Sequence, residues 1–142
     1  MDYSNKIFAY VDGSFNPTTN TYGYGVYLYV YGTEYEFTDS GNSAEMVSMR
    51  NVAGEVLGAM CAIRNAIKIG ITDLTIYYDY MGIEKWATGE WRRNKSGTIR
   101  YYEYVQSVKD KINIKFVKVK AHSGNVFNDK ADELAKLAVG LK

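Results

Sequence analysis

Three strand patterns in succession, followed by helix and strand patterns in alternation, limit this chain to a mixed α/β fold. Apolar or alternating runs mark the strands, and apolar residues at helical spacing from Val52 to Gly70 mark the first helix. The predicted order of elements is β-β-β-α-β-α-α-β-α. The corresponding segments are, in turn, KIFAYVDGSF, TYGYGVYLYVYG, TEYEFTDSG, the helix ending at Gly70, DLTIYYD, GIEKWATGEW, TIRYYEYVQSVKDK, INIKFVKVKAH and NDKADELAKLAVG. This order predicts a mixed sheet with helices on its faces, in which the first three strands are antiparallel.

Length and composition are those of a globular protein. The chain has 142 residues, of which 46% are hydrophobic and 23% are charged, and we expect one domain spanning residues 1–142. No window approaches the roughly 18 apolar residues of a membrane span, and the initial MDYSNK lacks a signal-peptide pattern. We therefore expect a cytoplasmic protein with no membrane contact. The single cysteine, Cys61, excludes an internal disulfide, and its apolar neighbours indicate a buried side chain.

The net charge of +1 conceals an uneven distribution of charge. Residues 1–60 contain two basic and seven acidic side chains, whereas residues 85–120 contain ten basic and three acidic ones. A basic second half is suited to a polyanion such as nucleic acid. Solvated helix faces produce the same count, so charge alone leaves both interpretations open.

Four acids lie at positions where an isolated carboxylate is unexpected. Asp12 interrupts the first strand run, although Asp-Gly-Ser is also common in turns. Glu55 lies at the edge of the apolar stripe of the first helix, where burial of a lone charge is costly. Asp79 ends the fourth strand, and ligands bind at the carboxyl ends of strands in α/β sheets. Asp132 lies early in the last helix, where an acid also stabilises the helix dipole whatever its function.

Convergence of these four acids would require cations between them. Strands one and four can be neighbours in the sheet, and the first and last helices can flank them. Hard cations such as Mg²⁺ take oxygen ligands, and two ions roughly 4 Å apart can clamp both oxygens of an in-line phosphodiester cleavage. The sequence has no Cys/His cluster of the kind that binds zinc. The pattern therefore predicts a magnesium-dependent site for phosphate chemistry.

Motifs along most of the chain resemble those of a known family. YVDGSFN, MRNVAGEVLGAMCAI, TIYYDY and VKVKAHSGNVFNDKADELAKLA together resemble type 1 ribonuclease H, in this order and over about residues 6–140. The similarity is greatest to the bacterial branch whose members often carry a separate N-terminal hybrid-binding domain. DGS or ADELA alone is weakly specific, whereas the ordered set is highly specific. The resemblance implies a ribonuclease H-like fold, with a five-stranded mixed sheet flanked by helices.

The resemblance also implies roles for individual residues. It assigns catalysis and metal binding to four acids, which are Asp12, Glu55, Asp79 and Asp132. Spacing favours Asp132 over the nearby Asp129. His122, in the loop AHSGN, matches a histidine with a role in proton transfer or product release. Asn51 and Lys120 match residues that contact the nucleic acid, and Asn128 matches a polar residue that contributes to the site.

Some features depart from the family pattern. Many relatives have a second polar residue where this chain has Val52, and some have a long basic, Trp-rich insertion after the Asp79 strand. The corresponding segment here, WATGEWRRNKSGTIRYY, is short, so we expect weak binding of substrate. Trp86 and Trp91 are interpreted as packing residues rather than as stacking platforms for bases. The row of tyrosines at 27, 29 and 31 is interpreted as the solvent side of a strand, with base stacking as the alternative.

The expected function is Mg²⁺-dependent endonucleolytic cleavage of the RNA strand of RNA–DNA hybrids. The resemblance implies two Mg²⁺ ions, replaceable by Mn²⁺, and products with 5′-phosphate and 3′-hydroxyl ends. We expect the protein to act as a monomer. One alternative is another nuclease or integrase of the same fold, although no added DNA-recognition segment is present. The other is a non-catalytic hybrid-binding module, which would gain nothing from clustered carboxylates because a binder needs positive charge.

Overall fold

The computed structural model describes residues 6–120 and 125–141. Its elements follow the predicted order, with one additional short helix between the third strand and the first long helix. They are β1 (Ile7–Asn16), β2 (Thr21–Val30), β3 (Thr33–Gly41), α1 (Ala44–Val47), α2 (Asn51–Ile69), β4 (Asp73–Tyr78), α3 (Gly82–Thr88), α4 (Ser96–Ser107), β5 (Asn113–Lys118) and α5 (Val126–Ala138). Within the described ranges, no helix is both long and apolar enough to cross a membrane.

The strands form one five-stranded mixed sheet in the order β3-β2-β1-β4-β5. The pairs β1–β2 and β2–β3 are antiparallel, and the pairs β1–β4 and β4–β5 are parallel. The predicted fold class, including the three antiparallel strands at the start, is therefore confirmed. β1 is the central strand, and its polar residue Asp12 is paired with Gly25 of β2 just beyond the last pair of β1 with β4, Tyr10 and Tyr77.

The two faces of the sheet are covered by different helices. Because side chains alternate along a strand, Ala9 and Val11 of β1 belong to the larger core, which includes buried residues of α2 and α4. Phe8 and Tyr10 point to the other face and form a smaller cluster with residues of α5. A functional group at the end of β1 can therefore meet side chains from both helix layers.

The interpretation of the tyrosine row as solvent-facing is wrong for Tyr27 and Tyr29 and confirmed for Tyr31. Tyr27 is only 2% exposed, and its ring stacks on Phe127 of α5 with centroids 5.3 Å apart. Tyr29 is partly buried and stacks on Phe8 at 5.1 Å, whereas Tyr31 at the end of the row is 64% exposed. The reason is that α5 lies across this face of the sheet, which the alternation of residues in β2 alone does not reveal.

The prediction that the tryptophans are packing residues is confirmed for Trp86 and only half correct for Trp91. Trp86 is partly buried against the larger core. Trp91 is 39% exposed, and its ring meets the edge of Trp86 with centroids 5.8 Å apart. Tyr80 contacts both rings. The three aromatic side chains stiffen the connection around α3.

Glycines allow both helices to approach the sheet closely near Asp12. A Cβ atom on Gly54 of α2 would overlap the carbonyl oxygen of Gly23, and one on Gly13 would overlap the carbonyl oxygen of Asn51. On the other face, Gly25 is paired with Asp12, and a Cβ there would overlap the backbone of α5. Only residues without a side chain fit at these contacts. The close approach brings helix residues within reach of the carboxylate of Asp12.

Candidate active site

Three carboxylates meet at one end of the sheet. Asp12 lies in β1, Glu55 in α2, and Asp79 directly after β4. One carboxylate oxygen from each of the three side chains lies within 4.8 Å of the others. Asp12 and Glu55 are only 7% and 2% exposed, and Asp79 is partly buried. The structure thus brings together three of the four acids whose convergence the sequence predicts.

Strand pairing accounts for the position of Asp79 beside Asp12. β1 and β4 are parallel, and Tyr10 is paired with Tyr77. Asp12 and Asp79 each lie two residues farther along, Asp12 within β1 and Asp79 just past the end of β4. Neighbouring strands are separated by about 4.8 Å, so the two side chains are close. Glu55 joins them because its neighbour Gly54 lets α2 contact the backbone of the sheet. The cluster is therefore fixed by backbone packing rather than by flexible loops.

Burial and mutual repulsion raise the pKa values of two of these acids. The pKa of Asp12 rises from 3.8 to about 8, mainly because of burial and then because of the charge of Asp79, while a hydrogen bond from the Gly13 amide opposes the rise. The pKa of Glu55 rises from 4.5 to about 10, again mainly through burial, with the charge and hydrogen bonding of Asp79 next. Without a cation, the cluster therefore retains protons at neutral pH.

Asp132, the fourth predicted acid, lies beside the cluster and is paired with a lysine. Its side chain is 21% exposed, and one carboxylate oxygen lies 3.0 Å from the ammonium of Lys136, one helical turn later. This contact raises the pKa of Lys136. Asp132 also contributes to the raised pKa of Asp12, which indicates that the two carboxylates are close. Asp129, three residues earlier in α5, is exposed.

The cluster has the donor atoms that a hard divalent cation prefers. Oε1 of Glu55 is buried without a hydrogen-bond partner among the described residues, and Oε2 accepts a 3.4 Å hydrogen bond from Asn51. A divalent cation would pair with the orphaned oxygen and remove the repulsion between the acids. Asp12, Glu55 and Asp79 could therefore hold a metal ion.

The remaining predicted residues lie around the cluster or outside the described residues. Asn128 is 2% exposed, and its Oδ1 has no hydrogen-bond partner within the described part of the chain. Asn51 is exposed at the first position of α2. Lys120 is exposed two residues beyond β5. His122 falls in residues 121–124, which lie outside the described residues.

Comparison with known proteins places the chain in a family. The family model described as RNase H matches residues 4–140. The chain belongs to the RNase H family. Among curated members of this family, the ribonuclease H of Ehrlichia canis is 28% identical over 141 residues, covering 95% of each chain. The ribonuclease H of Francisella tularensis is 29% identical over 147 residues, covering 95% of this chain and 91% of its own length.

Solved RNase H structures share the fold of this chain. RNase H1 from the halophilic archaeon Halobacterium salinarum superposes with a TM-score of 0.75 at 23% identity, covering 93% of this chain and 96% of its own. LC11-RNase H1, solved in complex with an RNA/DNA hybrid, also has a TM-score of 0.75, at 19% identity, covering 95% of this chain and 97% of its own. At these identities the superpositions establish the architecture alone.

Sequence reasoning missed Lys136 as a partner of the site. Side chains four residues apart face each other on a helix, so the spacing from Asp132 to Lys136 could have indicated the ion pair. Asp132 does not belong to the trio of acids whose oxygens all lie within 4.8 Å of one another. A cation that binds Asp132 would have to compete with the ammonium of Lys136.

We expect the metal-free protein to lose stability as the pH rises from 6 to 8. Asp12 and Glu55 keep protons in the folded state that the unfolded chain has already released above pH 4.5. The free energy of unfolding therefore falls with rising pH, by up to about 1.4 kcal/mol per pH unit for each retained proton. Thermal unfolding in EDTA at both pH values measures this loss, and adding Mg²⁺ should restore more stability at pH 8 than at pH 6.

A matched pair of variants assigns this pH dependence to the site. Glu55→Gln carries no proton to lose, so its melting temperature should fall less between pH 6 and 8 than that of the parent. Glu103→Gln, which removes an exposed acid from α4, should behave like the parent. A parent protein whose metal-free melting temperature is the same at pH 6 and 8 would contradict the raised pKa values.

Proposed function

We propose that this chain is a metal-dependent endoribonuclease that hydrolyses the RNA strand of RNA–DNA hybrids. One observation carries the proposal. In this member of the RNase H family, the carboxylates of Asp12, Glu55 and Asp79 form a largely buried cluster. The curated relatives bear the name ribonuclease H, and a structure of the same fold contains an RNA/DNA hybrid. A module that only bound nucleic acid would be weakened by a buried cluster of acids, because phosphates repel carboxylates.

The proposed cofactor is a pair of Mg²⁺ ions, with Mn²⁺ as a substitute. Asp12, Glu55, Asp79 and Asp132 would hold them through carboxylate oxygens. When bound, such ions activate a water molecule and stabilise charge on the scissile phosphate. Glu55 contributes an oxygen that is already desolvated, and Asp12 is held rigidly by its central strand. We propose that the products carry 5′-phosphate and 3′-hydroxyl ends.

Residues around the acids would bind and orient the hybrid. Asn51 lies one helical turn before Glu55 and is exposed, so we assign it to contact with the nucleic acid. Lys120 supplies an exposed positive charge after β5. Asn128, four residues before Asp132, offers an amide oxygen that has no partner among the described residues. We assign His122 to proton transfer or product release. Contacts to the 2′-hydroxyl groups would distinguish the RNA strand from DNA.

A cavity of about 270 Å³ next to the start of α2 offers a further surface for the hybrid. Tyr80, Trp86 and Val52 provide apolar walls, and Arg92 and Lys95 provide positive charge. Sugar rings and phosphates of a nucleic acid strand combine the same two properties. Through this cavity, the short segment after α3 could bind substrate although it lacks a long basic insertion.

We further propose the context in which the site acts. Residues 1–142 would form one catalytic domain that acts as a monomer in the cytoplasm. The chain would belong to the type 1 bacterial branch whose members are often joined to a hybrid-binding domain. With few phosphate contacts of its own, the chain should bind hybrids weakly, and tethering to such a domain would raise the effective substrate concentration.

Cleavage of matched substrates tests the proposed function. We expect a labelled RNA–DNA hybrid to be cut in the RNA strand with Mg²⁺ or Mn²⁺, and duplex RNA and duplex DNA of the same sequence to stay intact. Ca²⁺ should permit binding with little cleavage, because its larger radius and looser coordination misplace the attacking water. Cutting of duplex DNA would favour the related nuclease or integrase, and binding of the hybrid without any cleavage would favour the non-catalytic module.

A further inference from the structure

Asp79 differs from the other two acids of the cluster in how its backbone is held. Asp12 is paired with β2 within the sheet, and Glu55 lies inside the long helix α2. Asp79 instead lies in the short segment between β4 and α3. Connecting segments are in general more mobile than the strands and helices that they join. A metal ligand in such a segment needs contacts on both sides of it to fix its position.

A hydrogen bond closes across this segment. Tyr78, the last residue of β4, donates from its phenol to Oε1 of Glu84 at 2.7 Å. Glu84 lies in the first turn of α3, five residues beyond Asp79. The same hydroxyl lies 3.8 Å from Sδ of Met81. The side chains on either side of Asp79 therefore connect the end of β4 directly to the start of α3.

The bond from Tyr78 to Glu84 is sheltered from solvent and has no competitor among the described residues. The side chain of Tyr78 is fully buried, and Glu84 is partly buried. Within the described part of the chain, no lysine or arginine forms an ion pair with Glu84, and the phenol is the only hydrogen-bond donor to its carboxylate. Hydrogen bonds to a carboxylate are shorter and stronger than those between neutral groups.

Both partners of this bond are themselves anchored. The carbonyl oxygen of Tyr78 accepts a hydrogen bond from the Val119 amide at 2.6 Å, directly beyond the pairing of β4 with β5. In α3, the carbonyl oxygen of Ile83 accepts a 2.6 Å hydrogen bond from the phenol of Tyr101, a fully buried residue of α4. The bond from Tyr78 to Glu84 therefore joins two fixed points, and Asp79 lies between them.

We propose that Glu84 is a positioning residue for the reaction, which holds Asp79 in the acid cluster through its hydrogen bond to Tyr78. The inference rests on the proposed function, since it concerns the part of Asp79 in metal binding and catalysis. Position matters there, because a displacement of about 1 Å can slow a reaction about 100-fold. The charge of Glu84 is not needed for this role, since an amide oxygen also accepts a hydrogen bond from a phenol.

Two substitutions of Glu84 test whether the acceptor oxygen is what matters. Glu84→Gln keeps that oxygen without the charge, so single-turnover cleavage of a labelled hybrid should stay within about threefold of the wild type. Glu84→Leu removes the acceptor, so the same rate should fall about tenfold, and more Mg²⁺ should be needed for half of the maximal rate. Tyr78→Phe, which deletes only the hydroxyl group, should reproduce both effects of Glu84→Leu.

Two measurements without turnover locate the effect at Asp79. Mg²⁺ should raise the melting temperature of the free protein less in Tyr78→Phe and Glu84→Leu than in the wild type and Glu84→Gln, because a displaced Asp79 binds the ion less tightly. Hybrid affinity, measured in EDTA so that nothing is cut, should be close to that of the wild type in all three variants.

A variant of matched stability serves as the control. Ile63 of α2 is fully buried and lies about 12 Å farther along the helix axis than Glu55. Ile63→Val should lower the melting temperature by about as much as the loss of one hydrogen bond. It should leave the cleavage rate and the Mg²⁺-induced rise in melting temperature unchanged, because it does not displace Asp79.

Two results would overturn the inference. If Tyr78→Phe matches Ile63→Val in cleavage rate and in its response to Mg²⁺, the hydrogen bond only stabilises the fold; this comparison decides even if Glu84→Leu does not fold. If Glu84→Gln loses activity as Glu84→Leu does, Glu84 acts through its charge near the start of α3. Failure of the wild type to cut any hybrid would instead refute the proposed function, and the Mg²⁺-induced rise in melting temperature would still test the placement of Asp79.

Discussion

Asp79→Asn should slow cleavage of the RNA strand about 1,000-fold, equivalent to about 4 kcal/mol of transition-state stabilisation. The amide has nearly the shape of the carboxylate but no charge, so it binds a divalent cation poorly. Asp79 is one of only three acids in the described residues whose oxygens all lie within 4.8 Å. The other two cannot replace it, because each already supplies its own carboxylate oxygen to the same group. Single-turnover cleavage of a labelled hybrid in Mg²⁺ measures the loss.

Binding and a neighbouring acid serve as controls for this result. Hybrid affinity of Asp79→Asn should be unchanged or higher, because removing a negative charge near phosphates does not weaken their binding. Asp129→Asn, an exposed substitution on α5, should retain most of the activity. Cleavage by Asp79→Asn within about tenfold of the parent would remove Asp79 from the reaction. Loss of activity in Asp129→Asn but not in Asp132→Asn would show that Asp129, and not Asp132, is the acid of α5 that belongs to the site.

Gly54→Ala should destabilise the protein by about 3 kcal/mol, the upper end of the range for overpacked cores. The new methyl group would overlap the carbonyl oxygen of Gly23, which belongs to a paired strand and cannot move alone. α2 must therefore shift away from the sheet, and the adjacent Glu55 must shift with it. Urea unfolding measures the loss of stability, and the remaining folded protein should also cleave hybrids more slowly.

A second glycine in the same helix tests whether the contact is responsible. A Cβ on Gly58 would lie 3.1 Å from the Cβ of Tyr24, a tight contact that a shift of a few tenths of an ångström would relieve. Alanine also favours the helical state by up to about 1 kcal/mol relative to glycine. Gly58→Ala should therefore change stability little in either direction. Equal stabilities for Gly54→Ala and Gly58→Ala would show that the close approach of α2 tolerates a methyl group.

Much of the architecture is predictable from local patterns in the sequence. Apolar residues on both sides of Asp12 predict that it lies inside a strand, and the structure shows it within β1. The end of the first long helix was predicted at Gly70, which has a left-handed φ of 98°. These features depend on neighbouring residues alone, so a single sequence contains the necessary information.

Other features depend on which elements meet in space. Alternation in β2 predicts that Tyr27 faces away from Val26, but it does not show that α5 covers the side on which Tyr27 lies. The position of Asp132 close to Asp12 depends on the rotation of α5 against the sheet. The hydrogen bond from Tyr78 to Glu84 joins residues from different elements. A pattern within one element cannot reveal such contacts.

The distribution of the acids over the chain has a consequence for protein synthesis. Almost half of the 142-residue chain separates Asp12 from Asp79, yet β1 and β4 must pair before their carboxylates meet. Asp132 is synthesised still later, as part of α5, the helix that also covers Tyr27. A chain still emerging from the ribosome would therefore hold separated acids and no complete reaction centre. We expect nuclease activity to appear only after synthesis has passed α5, so that chains that stop before this helix are harmless to nearby RNA.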